Sequence, residues 1–528
     1  MRRLVVGLIA VCLVVPLLAV GCKQGTASKT PSVFTMANNV DPMGVWDPSD
    51  AFAEQLPILF NLYETLLKYD PATDKCTGVL ATDWSVTPDG LTWTFHLRQG
   101  VKFHCGHELT SADVKYDIER IQRRGMGAAF IWSAVKSIDT PDAYTVVLHL
   151  TRPCPMDLTM ASAYGAFIYC SQCAQAKGDP ALADWFNQGN ELGTGPYKLQ
   201  SWKLGDEVIM TRFDDYWRGW QGNHFDKVVM KVVPETGTAR QMLEAGEVDY
   251  VRLLPFEDIE ALKKNPAFNV TATPGFQNVY IAINTLHKPL DNKLVRQAIA
   301  YTVPYQDIVN KVMFGYAAQA TGPVPKGMWG HFDDLKQYTY DLNKAKDLLA
   351  QAGCPNGGFT LVMTIASGDE NHRKVAELWK SELAKVGINL DIRTMPFDAQ
   401  WELAKSPDVS QRQDLYIYYY WPDVCSPETY FEGCFVTQKD PIIYNVSYYS
   451  NPEVDRLISA AWEKAGTDRK AAAQIYKQVQ EKIIEDCPVI FLYDMEDVRV
   501  MSASIKGFVD NPAYPYVIFA YDLSREGK

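Results

Sequence analysis

Two residues of opposite charge stand where a chain of alternating strands and helices builds ligand sites. Arg373 opens the helical segment "HRKVAELWKSELAKVG", directly after "SGDEN", and Asp423 closes the aromatic run "DLYIYYYWPD". A helix N-terminus offers free N–H groups and a positive dipole, and a guanidinium fork beside it adds bidentate recognition of a carboxylate. A carboxylate among aromatic rings sits in a low dielectric and prefers a cationic partner such as an ammonium. Arg373 and Asp423 together would clamp a zwitterion, with Trp421 and Trp46 as aromatic surfaces that would also suit a sugar ring. The plainer readings are a surface arginine paired with Asp369 or Glu370, and tyrosines that only pack a strand.

The elements that would position these residues are legible in residues 359–395. "FTLVMTI" reads as a strand, the next segment as a helix with Val375, Leu378, Trp379, Leu383 and Val386 on one side and Gly387 as its stop, and "INLDIRTM" as a second strand. This is a βαβ unit, and in open α/β sheets ligands bind in the crevice beyond the carboxyl ends of the strands. If "DLYIYYY" is a neighbouring parallel strand, it delivers Trp421, Pro422 and Asp423 to the edge of that crevice. Elsewhere "LTWTFHL" and "NVYIAINT" show strand patterning, and "DNKLVRQAIAYTV" and "DRKAAAQIYKQVQEKII" show helical spacing. The fold class is therefore α/β.

With 528 residues, 47% of them hydrophobic, the chain can bury a large core and should divide into two or three domains. A net charge of −12 without a dense Lys/Arg run argues against a nucleic-acid binder, which needs a basic footprint. Arg2 and Arg3 precede a charge-free run from Leu4 to Gly21 that ends in "LLAVGC". The pattern reads as a secretory signal peptide over residues 1–22, resembling a bacterial lipobox with Ala19 where Leu is usual; Cys22 would then carry lipid and residues 23–31 serve as a tether. The alternative is an uncleaved membrane anchor. Both place the bulk of the chain outside the cytoplasmic membrane.

In that oxidising setting some cysteines should pair. Setting aside Cys12 and Cys22 leaves nine of the eleven, so at least one stays unpaired. Cys425 with Cys434 is the preferred pair; Cys170 with Cys173 and Cys76 with Cys105 are further local candidates. "FHCGHE", residues 103–108, invites a metal reading through His104, Cys105 and His107, but zinc needs about four ligands and no second half stands nearby in the sequence. A turn before a capped helix at "LTSADV" is the preferred reading. The expected metal set is none, and no cofactor is called for. No phosphate loop, zinc-protease H-E-x-x-H or nucleophile elbow occurs. A secreted hydrolase would still need only two carboxylates across a cleft.

Six phrases in order, "LYETLLKYDP", "DGLTWTFHLRQGVKFHCGHELTSADV", "GTGPYKLQSWKLGDEVIMTRFDDYW", "LVRQAIAYTVPYQDIV", "YDLNKAKDLLAQAG" and "NPEVDRLI…CPVIFLY", resemble the extracytoplasmic solute-binding proteins of ABC importers in the peptide/nickel-binding class. The resemblance implies a two-lobed periplasmic-binding-protein fold that closes on ligand, with residues 32–277 and 490–528 in the first lobe, an extra subdomain near 52–190, and residues 278–489 in the second lobe. The two hinge crossings would be "NVYIAINT" and "CPVIFLY". It also implies that Asp423 binds a peptide α-ammonium and Arg373 an α-carboxylate, with Ser426-Pro427 and His104-Cys105-Gly106 departing from the family's Asp-Pro and His-Asp-Gly. A monomeric, lipid-tethered importer component for di- or oligopeptides follows, partnered by a membrane permease; an oligosaccharide or metal chelate is the alternative ligand.

Overall fold

The strand Leu415–Tyr420 reads LYIYYY and presents apolar or aromatic side chains to both faces, so it must be covered on both sides. In the computed structural model, which describes residues 31–51, 53–439, 442 and 444–526, it lies inside an 11-stranded sheet. It runs parallel to Thr360–Ala366, with Met363 beside Leu415, and antiparallel to Phe268–Ile283, with Asn278 opposite Tyr420. Thr360–Ala366 in turn pairs parallel with Asn389–Met395, which completes the expected βαβ unit. The expected leader, Cys22 and nearly all of the tether lie outside the described residues. Among the described residues no helix is long and apolar enough to cross a membrane.

The connecting helix, Glu370–Ala384, starts where Asp369 accepts the His372 N–H at 2.9 Å, satisfying one of the free donors of the first turn. It buries Val375, Ala376, Trp379 and Leu383 against the sheet, the stripe its spacing predicts, while Leu378 sits at the margin. Gly387 ends the turn at φ 78°, where a Cβ would meet the Asn356 carbonyl oxygen at 2.0 Å.

Phe268–Ile283 and Val489–Ser502 form the spine of the sheet. They pair antiparallel over most of their length, Phe268 opposite Ser502 at one end and Ala282 opposite Val489 at the other. One half of this ribbon adjoins Leu415–Tyr420 and the βαβ unit. The other leads through Tyr250–Val251 to Val33–Asn38, Lys227–Val232, Glu207–Arg212 and Tyr197–Lys203. The register breaks between Pro274 and Asn278, opposite Asp494–Glu496; proline lacks the N–H a ladder needs, and a bulge bends the strand there. Beyond this bulge, from Asn278 to Ile283, the strand also pairs with Leu415–Tyr420 on its other edge.

A separate four-stranded antiparallel sheet, in the order Ala81–Val86, Thr92–Leu97, Thr145–Leu150, Val135–Asp142, carries the helix Ser111–Arg124. Thr110 and Asp113 cap that helix reciprocally, as "LTSADV" predicts. On its inner face Arg120 is wholly buried and fully engaged, donating to Asp47, Asp179, Ser49 and the Tyr169 hydroxyl.

Candidate functional site

Asp423 follows the carboxyl end of Leu415–Tyr420, on a stretch from Trp421 that has no regular structure. Its backbone carbonyl accepts the Ser162 hydroxyl at 2.6 Å, tying the strand end to the opposite lobe. Its carboxylate has no hydrogen-bond or ion-pair partner among the described residues. The side chain is half-buried, yet protein surrounds it closely enough that loss of water pushes its carboxyl up to about 7. A carboxylate that solvent can still reach while dense protein deprives it of hydration lies in a narrow crevice. Phenols of Tyr164, Tyr420, Tyr430 and Tyr444 feel its charge and are held above their usual range, chiefly by burial.

Trp421 joins this crevice. Its ring lies 6.2 Å from that of Tyr419 and edge-on to Tyr516 at 6.4 Å. Tyr419 stacks on His372 at 4.3 Å, which brings the start of the helix Glu370–Ala384 to the same strand end. Burial pushes the His372 imidazole down to about 4, so it stacks as a neutral ring. Arg373 sits at that helix start but is turned outward: its side chain is 48% exposed and forks onto Glu370, with Nη2–Oε2 at 2.7 Å. The structure thus brings Trp421 and Asp423 together and leaves the Arg373 guanidinium on the surface, paired with a neighbour one turn away.

Two sequence expectations are corrected. Trp46 is core, 1% exposed and edge-on to Trp202 at 5.4 Å, so it has no free face for a ligand. Cys425 and Cys434 are free buried thiols rather than a disulfide. The helix Pro427–Cys434 stands between them and rises roughly 10 Å, whereas bridged residues need Cα atoms within about 7 Å.

The wall facing Trp421 went unnoticed in the sequence. Tyr516 holds a left-handed backbone at φ 64°, uncommon for a bulky residue. Arg252 lies over its ring at 4.1 Å and Arg499 at 5.8 Å; Arg252 pairs with Glu54 at 2.5 Å, and Arg499 with Asp510 at 3.2 Å. The signal available was the proline-rich aromatic stretch "NPAYPYV", whose prolines restrict the backbone. Further contacts between segments distant in the chain are Lys374–Glu257, 3.6 Å, and Arg469–Asp157, 2.5 Å.

A cavity of about 640 Å3 lies elsewhere, lined by Lys68, Tyr69, Phe276, Phe508, Asp510 and Phe519 among others. It touches the crossing strand but not Trp421 or Asp423. Volume alone does not select a site; an unpaired, poorly hydrated carboxylate makes Asp423 the stronger candidate.

The "FHCGHE" loop differs from its sequence reading. His104 is engaged on both nitrogens, with Glu191 at 2.6 Å and the Gly195 carbonyl at 2.8 Å. His107 and Cys105 instead meet Cys170 and Cys173, which stand far along the chain.

An α/β chain with two lobes bridged by paired strands and a polar crevice between them is a solute-binding architecture. The chain belongs to the bacterial extracellular solute-binding proteins, family 5, whose middle-region model matches residues 75–441. It is 29% identical over 475 residues to the probable D,D-dipeptide-binding periplasmic protein DdpA of Escherichia coli, covering 89% of each chain. It is 28% identical over 497 residues to the glutathione-binding protein GsiB of Pectobacterium atrosepticum, 93% of each. The solved structure of the ABC transporter-associated periplasmic binding protein DppA from Helicobacter pylori, in complex with peptide STSA, superimposes with a TM-score of 0.78 at 26% identity, covering 94% of this chain and 98% of that one. The family is one of binding proteins rather than enzymes.

Proposed function

We propose that the protein captures di- or oligopeptides between its lobes and delivers them to the permease of an ABC importer, held at the membrane surface by lipid on Cys22. The observation that carries the ligand reading is the Asp423 carboxylate, unpartnered among the described residues and set between aromatic walls. A peptide α-ammonium is the cation whose size and hydrogen-bonding capacity suit it: it restores the charge pairing that burial removes and lowers the carboxyl back toward its usual range. Trp421 and Tyr516, one from each lobe, close over the bound chain, and the closed form is the shape a permease would recognise. Dipeptide, glutathione and peptide relatives support the same ligand class.

Titration calorimetry of the mature protein against a peptide series tests this reading. Peptides with a free amino terminus should bind, and their N-acetylated counterparts should not. Equal affinity for both would remove Asp423 from ligand recognition. Intact mass of the membrane-extracted protein, showing a diacylglyceryl addition at Cys22, tests the tether.

A further inference from the structure

Four side chains of the extra subdomain, remote from the crevice in sequence and in contacts, converge on one point. Cys105 and His107 come from the loop before the helix Ser111–Arg124; Cys170 caps the helix Ser171–Lys177, and Cys173 lies in its first turn. The Nδ1 atom of His107 is 3.6 Å from Cys105 Sγ, 3.3 Å from Cys170 Sγ and 3.5 Å from Cys173 Sγ. All four atoms lie within 4.8 Å of one another. One imidazole nitrogen carries at most one proton or one lone pair, so hydrogen bonding does not account for three sulfurs at nearly equal range. A tetrahedron does: metal–sulfur bonds of about 2.3 Å and a metal–nitrogen bond of about 2.0 Å put each N–S edge at about 3.5 Å.

The surroundings are built for such a set. Gly106, at φ 92°, lets the loop fold so that Cys105 and His107 turn to the same side, and the Phe103 N–H closes the loop on the His107 carbonyl at 2.9 Å. The Cys170 N–H donates to the Leu192 carbonyl at 3.1 Å, fixing the start of the helix that carries both remaining thiols. His104 is engaged elsewhere on both ring nitrogens, which leaves His107 as the imidazole of the set. A disulfide would use two of the three thiols at a sulfur separation of about 2.05 Å and would leave the third cysteine and the histidine without a role.

We propose that Cys105, His107, Cys170 and Cys173 bind one zinc ion in a closed Cys3His site that clamps the loop to the helix. Three thiolates and an imidazole select zinc or copper(I) over magnesium or calcium. Four protein ligands leave no open coordination position, so the role is structural rather than catalytic. Cys105 and His107 are exposed, which gives the ion a path in from solvent.

The test is metal analysis of the folded, reduced mature protein after incubation with zinc alone and gel filtration. One zinc per chain is expected, together with a higher melting temperature, and cobalt(II) should give the visible absorption of a tetrahedral thiolate site. His107→Ala, a change at the exposed rim that should leave the fold intact, should weaken zinc binding by at least about tenfold. Peptide affinity should stay unchanged in that variant, which separates this site from the crevice. Sub-stoichiometric zinc in protein that is folded by circular dichroism and fully reduced by thiol counting would overturn the proposal. A disulfide between any two of Cys105, Cys170 and Cys173 in protein isolated without reductant, persisting under zinc, would also overturn it. Preferential retention of copper(I) would overturn the choice of zinc.

Discussion

Arg120 and Asp423 are charged groups in protected settings, and they are treated in opposite ways. The Arg120 guanidinium is 0% exposed and spends its donors on Asp47, Asp179, Ser49 and Tyr169, while Arg124 adds contacts to Asp50 and Asp179. Asp423 lies in a crevice that water still reaches, has no partner for its carboxylate among the described residues, and is pushed up to about 7. A saturated buried charge holds a fold together, whereas a protected charge left unsaturated is a cost to the fold, which the proposed ammonium would offset.

The contrast can be broken from either end. Replacing Arg120 with Ala strands Asp47 and Asp179, and denaturant unfolding should show a loss of about 3–5 kcal/mol, with peptide affinity intact in the folded fraction. A loss below about 1 kcal/mol would mean that water replaces the network. For Asp423→Ala the effects reverse. Calorimetry should show peptide affinity falling by about 2–5 kcal/mol, while the ligand-free protein unfolds at the same denaturant concentration or a higher one.

The pH dependence follows from the raised carboxyl. Ligand-free Asp423 is protonated below pH 7 and must ionise to pair with an ammonium, so peptide affinity should rise about tenfold per pH unit toward 7 and then level off. Stability of the ligand-free protein runs the other way. A carboxyl whose folded value lies above its unfolded value stabilises at low pH, and that contribution is lost as pH rises through about 7; Asp494 and Glu428, also pushed up to about 7 by burial, add to the same trend. Asp423→Asn should flatten the affinity profile, measured by calorimetry across pH 5–8.

The smallest effect is expected at Arg373. Its exposed pairing with Glu370 is screened by solvent, so Arg373→Ala should leave both unfolding and peptide binding nearly unchanged. Weaker binding with unchanged stability would show that Arg373 swings inward to meet a ligand carboxylate.

Much of this was legible from local pattern. The helix Glu370–Ala384 and its flanking strands followed from apolar spacing and the glycine stop at Gly387, and the strand end that delivers Asp423 followed from parallel topology. What escaped was set by long-range contact. Trp46 stands in "DPMGVWDPSD", where no periodicity tells an inward ring from an outward one, and only Trp202 decides the matter. Cys425 and Cys434 look close as letters, but an intervening helix holds them apart. Cys105 and Cys170 look distant, but the packing of one loop on one helix joins them. Tyr516 reaches Trp421 only because the chain end returns across the lobes.

The pairing of Phe268–Ile283 with Val489–Ser502 has a mechanical consequence. Two separate threads between lobes would let each lobe tumble, slide and twist independently. Zipped edge to edge, they act as one leaf spring, stiff within its plane and softer where the ladder is interrupted, beside Pro274 and again between Val279 and Tyr280. Bending between the two halves of the sheet then falls on these interruptions rather than on two independent links.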